Sequence, residues 1–338
     1  MAGIVFTEGS GLNDSIFGKS QAPIRAFIES KAEAFENASM IDTLFAVEKS
    51  NTWGEKFGSM TAMEGFKPVG ENGEHPHDSM QEGFSKTIQN MTWKDQFSIS
   101  REIIDDAKLI DLKSRPQAFI TGYYRTRELF AAALYGAAIS GRRELTYGGM
   151  KFDVSGADGK AIFDTAHQAK VKGANQSNKF ADAFSNDALM ALESKMQDFR
   201  DDNGNVLNVS PTTILIPNDY QIKKDVFEAI GADQDPETSN NGFNYNFGRW
   251  NVIVWQYLNQ FITAGSKPWV LLDEQYNKNN YGAIWLNRND LEIKSVVDNN
   301  TDANVWLGYS RFTGGFSDWR FAAVGGISGG STLIASNS

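Results

Sequence analysis

Without a cysteine, this sequence could hold zinc only through three histidines and its carboxylates. His75 and His77 flank Pro76 and His167 stands far from both, so a zinc site would take most of its ligands from carboxylates. Residues 201–205, DDNGN, supply acidic and amide oxygens, but they lack the glycine and terminal glutamate that a calcium-binding helix-loop-helix places, and they read as a turn. The glycines of 325–330, GGISGG, precede no lysine followed by serine or threonine and open no adequate helix; they read as a flexible tail, not a phosphate cradle. Paired carboxylates for glycoside hydrolysis have their signature in space and not in spacing, so among 42 acidic residues that chemistry stays open. No metal, cofactor or catalytic residue is assigned.

The charges that are patterned lie in two blocks. Glu64, Glu71, Glu74, Asp78 and Glu82 face only Lys67 in a segment rich in turn formers around Asn72-Gly73 and Pro76. Lys113, Arg115, Arg125, Arg127, Arg142 and Arg143 are opposed within 113–143 only by Glu128. Two readings fit: the blocks attract one another between neighbouring copies of a repeating assembly, or they are two solvated surfaces that never meet.

The elements carrying these blocks follow from periodicity. Ile24, Phe27, Ile28, Lys31 and Phe35 recur at helical spacing after Pro23, which predicts one amphipathic helix in an otherwise extended arm over residues 1–53. Such a helix lies on a neighbour or packs on its own domain. Residues 54–100 alternate on both sides of a turn and predict a long hairpin with an acidic tip, too poor in large apolar residues to make a core of its own. Ser100 to Ala107, SREIIDDA, then leads into a long helix over about 114–141, marked by Phe119, Tyr123, Leu129, Phe130, Ala133, Leu134 and Ala137 and stopped by Gly141. Further on come a tight hairpin over 145–154 turning at Gly148-Gly149, and a helix carrying Ala188, Leu189, Leu192, Met196 and Phe199. Thr212 to Ile216 reads as a buried strand and Asp219 to Ile230 as a helix capped by Asn218. Strands are expected over 252–258, 269–272, 283–286 and 291–297, with a strand-rich tail over 303–327, an α+β mixture without internal repeat.

Composition bounds the rest. At 338 residues, with 41% apolar and 12% aromatic content, the chain can bury a core of about two domains without disulfides. A formal net charge of -10 and the lack of a basic arm argue against a protein that condenses nucleic acid by its own charge. If it encloses DNA, the wall meets the phosphates with a neutral or acidic face. The first twenty residues read as mature protein and not as a secretory leader, and Leu129 to Ile139 is too short to span a bilayer.

In order, the arm, long hairpin, SREIIDDA, spine helix, sheet-and-helix domain and returning aromatic strands resemble the major capsid proteins of tailed bacteriophages, with the Hong Kong 97-type fold. The most specific stretch is FSKTIQNMTWKDQFSISREIIDDAKLI at 84–110; GKAIFDTAH at 159–167 and NVSPTTILIPNDYQIKKDVFEAI at 208–230 are similar to Mu-type major head subunits. The resemblance implies an N-terminal arm over 1–53, an extended loop over 54–100 lying over a neighbour, and a peripheral domain with the spine helix over 101–186. It further implies an axial domain over 187–285 and returning peripheral strands with a tail over 286–338. It implies hexamers and pentamers closing around double-stranded DNA in a virion, assembled in the bacterial cytoplasm, with portal and scaffolding proteins and a decoration protein as partners, and no membrane. Because no scaffolding segment precedes the arm, that partner is expected to be separate. A nanocompartment shell shares the fold and would enclose enzymes, and a carbohydrate-active enzyme or binding module would also suit an acidic, aromatic-rich chain.

Some members of the family join subunits by an isopeptide bond between a loop lysine and a neighbour's asparagine, assisted by a glutamate. By resemblance Lys86 stands near that lysine and Asn299 or Asn300 near that asparagine, but Gly308 to Thr313, GYSRFT, has no acid where the glutamate is needed, and Arg311 falls there instead. A buried carboxylate is what would relieve the lysine of its proton. Mature shells boiled in detergent should therefore run as a single subunit band, and a ladder of covalent oligomers would refute this.

Overall fold

A computed structural model describes residues 5–8, 35, 39–60, 66, 68–71, 73–75, 77, 82–105, 109–231 and 244–333. The predicted helix over 24–35 lies outside them apart from Phe35, whose ring stacks on Tyr124 of the chain's own long helix at 5.4 Å. Of the arm, strand β1 (Val5–Glu8) pairs in parallel with residues 292–295 of the same chain.

Short helix α1 (Ile41–Leu44) and strand β2 (Ala46–Lys49) lead into strand β3 (Gly54–Met60), which among the described residues pairs only with β4 (Glu82–Gln89), antiparallel. The expected hairpin thus ends at Gln89, not at 100. The next strand, β5 (Met91–Ile99), joins a larger sheet because its alternating Trp93 and Phe97 find flat partners there: Trp93 stacks on Phe312 at 4.8 Å and Phe97 on Trp306 at 5.8 Å. After helix α2 (Arg101–Asp105), the spine helix α3 runs from Leu109 to Ile139, one turn earlier than its apolar pattern indicated. At 1.5 Å per residue its 31 residues make it about 46 Å long.

Two stretches of the spine are buried, for different reasons. Phe119, Ile120 and Tyr124 pack over Ile99, Leu291, Ile293 and Trp306. The last turns, from Phe130 to Ile139, are covered on every side, which a helix manages only with small residues: Ala131, Ala132 and Ala133 are fully buried, and at Gly136 an added Cβ would sit 2.4 Å from the Cβ and 2.9 Å from the backbone oxygen of Phe261.

Hairpin β6 (Glu144–Tyr147) and β7 (Met150–Asp153) turns at Gly148 and Gly149, both at positive φ, as their sequence requires. Two sheets form the body. The five-stranded one, labelled peripheral, as the other is labelled axial, after the domains expected from sequence, takes the order β1-β11-β12-β5, built on β11 (Ala283–Val297) and β12 (Asn304–Phe316), with β2 on the other part of β11's edge. β11 is continuous where two strands were expected; register shifts around Asn289 absorb the polar residues 287–290 that broke the pattern. The axial sheet takes the order β13-β10-β8-β9, formed by β8 (Thr213–Pro217), β9 (Asn251–Trp255), β10 (Trp269–Leu272) and β13 (Ala322–Gly325). β13 was assigned by sequence to the peripheral strands. It pairs with β10 instead, where only a glycine fits: a Cβ on Gly325 would lie 2.3 Å from the Trp269 indole.

Helices α4 (Asn186–Gln197), α5 (Tyr220–Gly231) and α6 (Glu274–Asn280) accompany the axial sheet. Asp219, not Asn218, caps α5, its carboxylate accepting from the Gln221 and Ile222 amides. Residues 201–205 form the expected turn, closed by the Asp201 carboxylate on the Asn203 and Asn205 amides. The glycine-rich 325–330 segment is not a free tail: Gly326 and Ile327 donate to Asp182 and Phe180, and Ser331 bridges Phe180. Among the described residues no helix is long and apolar enough to cross a membrane.

In an exposed helix, Gly136→Ala would stabilise by about 1 kcal/mol. Here the new methyl meets backbone, so the variant should lose about 1–3 kcal/mol in a denaturant titration; a gain would show that the spine does not approach Phe261 as described.

Candidate assembly surfaces and the polar anchors behind them

The acidic block is partly visible. Glu71, Glu74 and Glu82 are exposed, as are Phe66 and Val69 beside them, while Glu64 and Asp78 lie outside the described residues. The basic block divides. Arg125, Arg142 and Arg143 are exposed, the last two just past the end of the spine, and Arg115 is exposed but donates to the Ser98 carbonyl of β5. Lys113 lies on the spine, its side chain outside the described residues.

Arg127 is not a surface charge. At 9% exposure its guanidinium lies 5.2 Å from the Phe312 ring and 5.4 Å from that of Trp285, and it donates to the Tyr123 hydroxyl. Its helical position turns it inward onto three aromatic rings, a cation–π role that charge counting along the sequence could not separate from Arg125. Within one chain the acidic and basic blocks make no described contact.

Lys86 is likewise turned inward. Its Nζ donates to the carbonyls of Ser155 at 2.6 Å and Asp153 at 3.2 Å, and pairs with the Asp153 carboxylate at 3.2 Å. Burial pushes this ammonium below the ordinary lysine value while Asp153 resists. Burial raises the Asp153 carboxyl too, but the Ser155 hydroxyl, the Lys86 charge and the Ser155 amide outweigh it and hold it below the usual range. Asn299 and Asn300 sit exposed in the turn closed by Asp298, on the far strand pair.

Behind the Lys86 anchor stands a polar knot that the sequence did not announce. His167 is fully buried, with Nδ1 2.6 Å from Asp158, Nε2 3.2 Å from Asn178 Oδ1, and its ring flat on Trp319 at 4.3 Å. The Asn178 amide is oriented by its own donations to the Ile162, Trp319 and Ala322 carbonyls, so its oxygen faces the imidazole. Both ring nitrogens are therefore engaged and neither lone pair is available to a metal. Next to it Arg320 donates to Asp202 at 2.8 Å, to Asp318 at 3.1 Å and to the Arg200 carbonyl at 2.9 Å, joining the axial turn to the strand returning from β12. Burial penalises this guanidinium, but the two carboxylates keep it charged. Asp318 is two residues from Arg320, but Asp202 and Arg200 lie over a hundred residues away, so nothing in the local sequence signals that part of the network.

What these parts offer is geometry and not a reaction centre: a projecting ribbon, exposed charge of one sign on it and of the other on the spine, and a cross-braced body.

Comparison with known proteins bears this out. The family model described as phage capsid protein matches residues 84–325, well over half of the chain. None of the curated proteins matches. Among solved structures, the capsid of the cyanophage P-SCSP1u is similar at 9% identity, covering 84% of this chain and 86% of that one with a TM-score of 0.52. A structure from Mycobacterium phage Patience is similar at 13% identity, covering 99% of this chain and 95% of the other with a TM-score of 0.50. At such identities these structures speak for the fold, and with the family match over more than half of the chain, the spine included, the chain belongs to the phage capsid protein family, as a major capsid protein of Hong Kong 97-type fold and a structural subunit, not an enzyme.

Proposed function

We propose that the capsid shell this chain builds is an icosahedral head of hexamers and pentamers, in which the ribbon of each subunit lies over a neighbour and its acidic tip meets that neighbour's spine. The observation that carries this reading is the β3–β4 ribbon, which pairs with no further strand and bears exposed Phe66, Val69, Glu71 and Glu74. Its inner row packs on the body at Ile88 and Lys86, but its edges and tip are left uncovered, so completion by another copy is their natural resolution. Arg125, Arg142 and Arg143 supply the opposite charge, and the reading drops Arg127, which is spent inside its own subunit. Each such contact is weak alone; closure of many equivalent ones makes the shell.

A head of this kind encloses double-stranded DNA without reading its sequence. With a net charge of -10 the wall does not draw DNA in, so a motor acting through a portal must force it inside. Scaffolding and portal proteins, and a decoration protein on the outer face, are the partners, and assembly takes place in the host cytoplasm before the subunits become part of the virion.

Electron microscopy of the chain expressed with its neighbouring genes tests the shell: closed particles are expected, and a protein that sediments as a monomer near 37 kDa under all conditions would end the reading. The charge contact has its own test. Arg142→Glu with Arg143→Glu should abolish or strongly slow assembly, and adding Glu71→Arg with Glu74→Arg should restore it. Because the Debye length is about 8 Å at physiological salt, wild-type assembly should also weaken as salt rises. Failure of the double reversal to rescue would disprove the pairing while leaving the shell intact.

A further inference from the structure

The ribbon's inner row, Phe84, Lys86 and Ile88, follows the two-residue period of a strand, and each member meets a different part of the body. Ile88 enters an apolar cluster with Ile284 and Leu286, close against Gly315. Lys86 reaches the end of β7 at Asp153 and Ser155. Over Phe84 lies the ammonium of Lys170, 5.5 Å from the ring centre, and the same ammonium donates to the Gly83 carbonyl at 2.6 Å.

At the ribbon's root a single residue, Asn90, separates β4 from β5. Its amide donates to the Trp53 carbonyl and its side chain to Ser50 Oγ and the Thr52 carbonyl, while Ser50 and Thr52 hydroxyls both donate to Glu55. This ring of short polar bonds joins both legs of the ribbon at one point, and a joint there leaves the ribbon's angle undetermined. The body side of both contacts is braced: the Asp158–His167–Asn178 knot ties down the segment that carries Lys170 and adjoins Ser155, which accepts from Lys86.

We propose that Lys86 and Lys170 are positioning residues that latch the β3–β4 ribbon at one angle to the body, so that the free subunit presents it pre-set instead of swinging about Asn90. Swinging would strand a buried ammonium and two carbonyls at once, so the latch opens as a unit or not at all. Lys86 is in this way committed within its own subunit and is not the free amine of a cross-link. The inference concerns the single subunit and holds whatever contacts the assembled shell makes.

The test is hydrogen exchange on the full-length unassembled chain. Lys86→Met should speed exchange of the β3 and β4 amides about tenfold or more, with β8 and β10 unchanged, as local opening requires. Lys170→Met, at an exposed position that no core depends on, should do the same to a smaller degree. The lack of native cysteine allows a second readout: spin labels at Thr87→Cys and Lys195→Cys should give a narrow distance distribution that broadens when Lys86→Met is added. The latch is overturned if the Lys86→Met, Lys170→Met double variant keeps wild-type ribbon exchange and a narrow distribution. It is equally overturned if ribbon and body exchange accelerate together, which would make Lys86 an ordinary core contact. Should Lys86→Met not fold, unchanged ribbon exchange in Lys170→Met alone decides against it.

Discussion

A ribbon of two strands has edges on both sides and only one face it can lay on its own body, and everything else in this protein is arranged around that shortfall. β3 and β4 pair with each other and then stop. Their inner row is spent on Ile284, Leu286 and the 153–170 segment, and the outward row and the tip residues Phe66, Val69, Glu71 and Glu74 are left to water. A protein that worked alone would gain nothing from such a projection. In the shell proposed above, the same unpaired edges become contacts between copies.

A projection is useful only if its base is stiff. The stiffness comes from the close approach of backbones, which small residues permit, at Gly136 against Phe261 and at Gly325 against Trp269. It also comes from polar groups that cross between layers: Arg320 ties the axial turn to the end of β12, and Arg249 pairs with the buried Glu193 at 2.6 Å to hold the chain entering β9 onto α4. Buried ion pairs contribute little net stability compared with apolar residues of the same volume, but losing one partner strands the other at a cost of roughly 3–5 kcal/mol. They therefore fix which arrangement forms more than how stable it is. Tyr135, whose hydroxyl donates to the Leu44 carbonyl, and Asn277, which bonds the same carbonyl, perform a similar service for the peptide leading into β2.

Charge follows the same division between inside and outside. Arg127, counted by sequence among groups reaching for a neighbour, and Lys86, which resemblance sets near a cross-linking lysine, are both internal, one over aromatic rings and the other on main-chain carbonyls. Arg125, two positions away from Arg127 on the spine, is exposed because the helix turns about 100 degrees per residue and places it on the opposite flank. Arg125, Arg142 and Arg143, exposed on the spine and just past its end, are the cations of the basic block that the proposed shell leaves for a neighbour's acidic tip.

Much of this was determined by local sequence. The spine helix, the hairpin at Gly148-Gly149, the turn at 201–205 and the ribbon's existence were legible because a helical or alternating period, a glycine pair or an asparagine-glycine turn is written within a few residues. The ordered set of those pieces also sufficed to place the chain among capsid proteins. What only the tertiary structure decided is what each strand and charge is paired with. Residues 91–99 belong to the sheet and not the hairpin, β13 crosses to the axial sheet, and β11 runs unbroken through its polar middle, because a partner strand far along the chain supplied the missing bonds. Lys86, Arg127 and His167 were settled by partners that folding alone brings to 2.6, 5.2 and 2.6 Å. A charge read in sequence has a sign but no direction, and direction comes only from the packing around it.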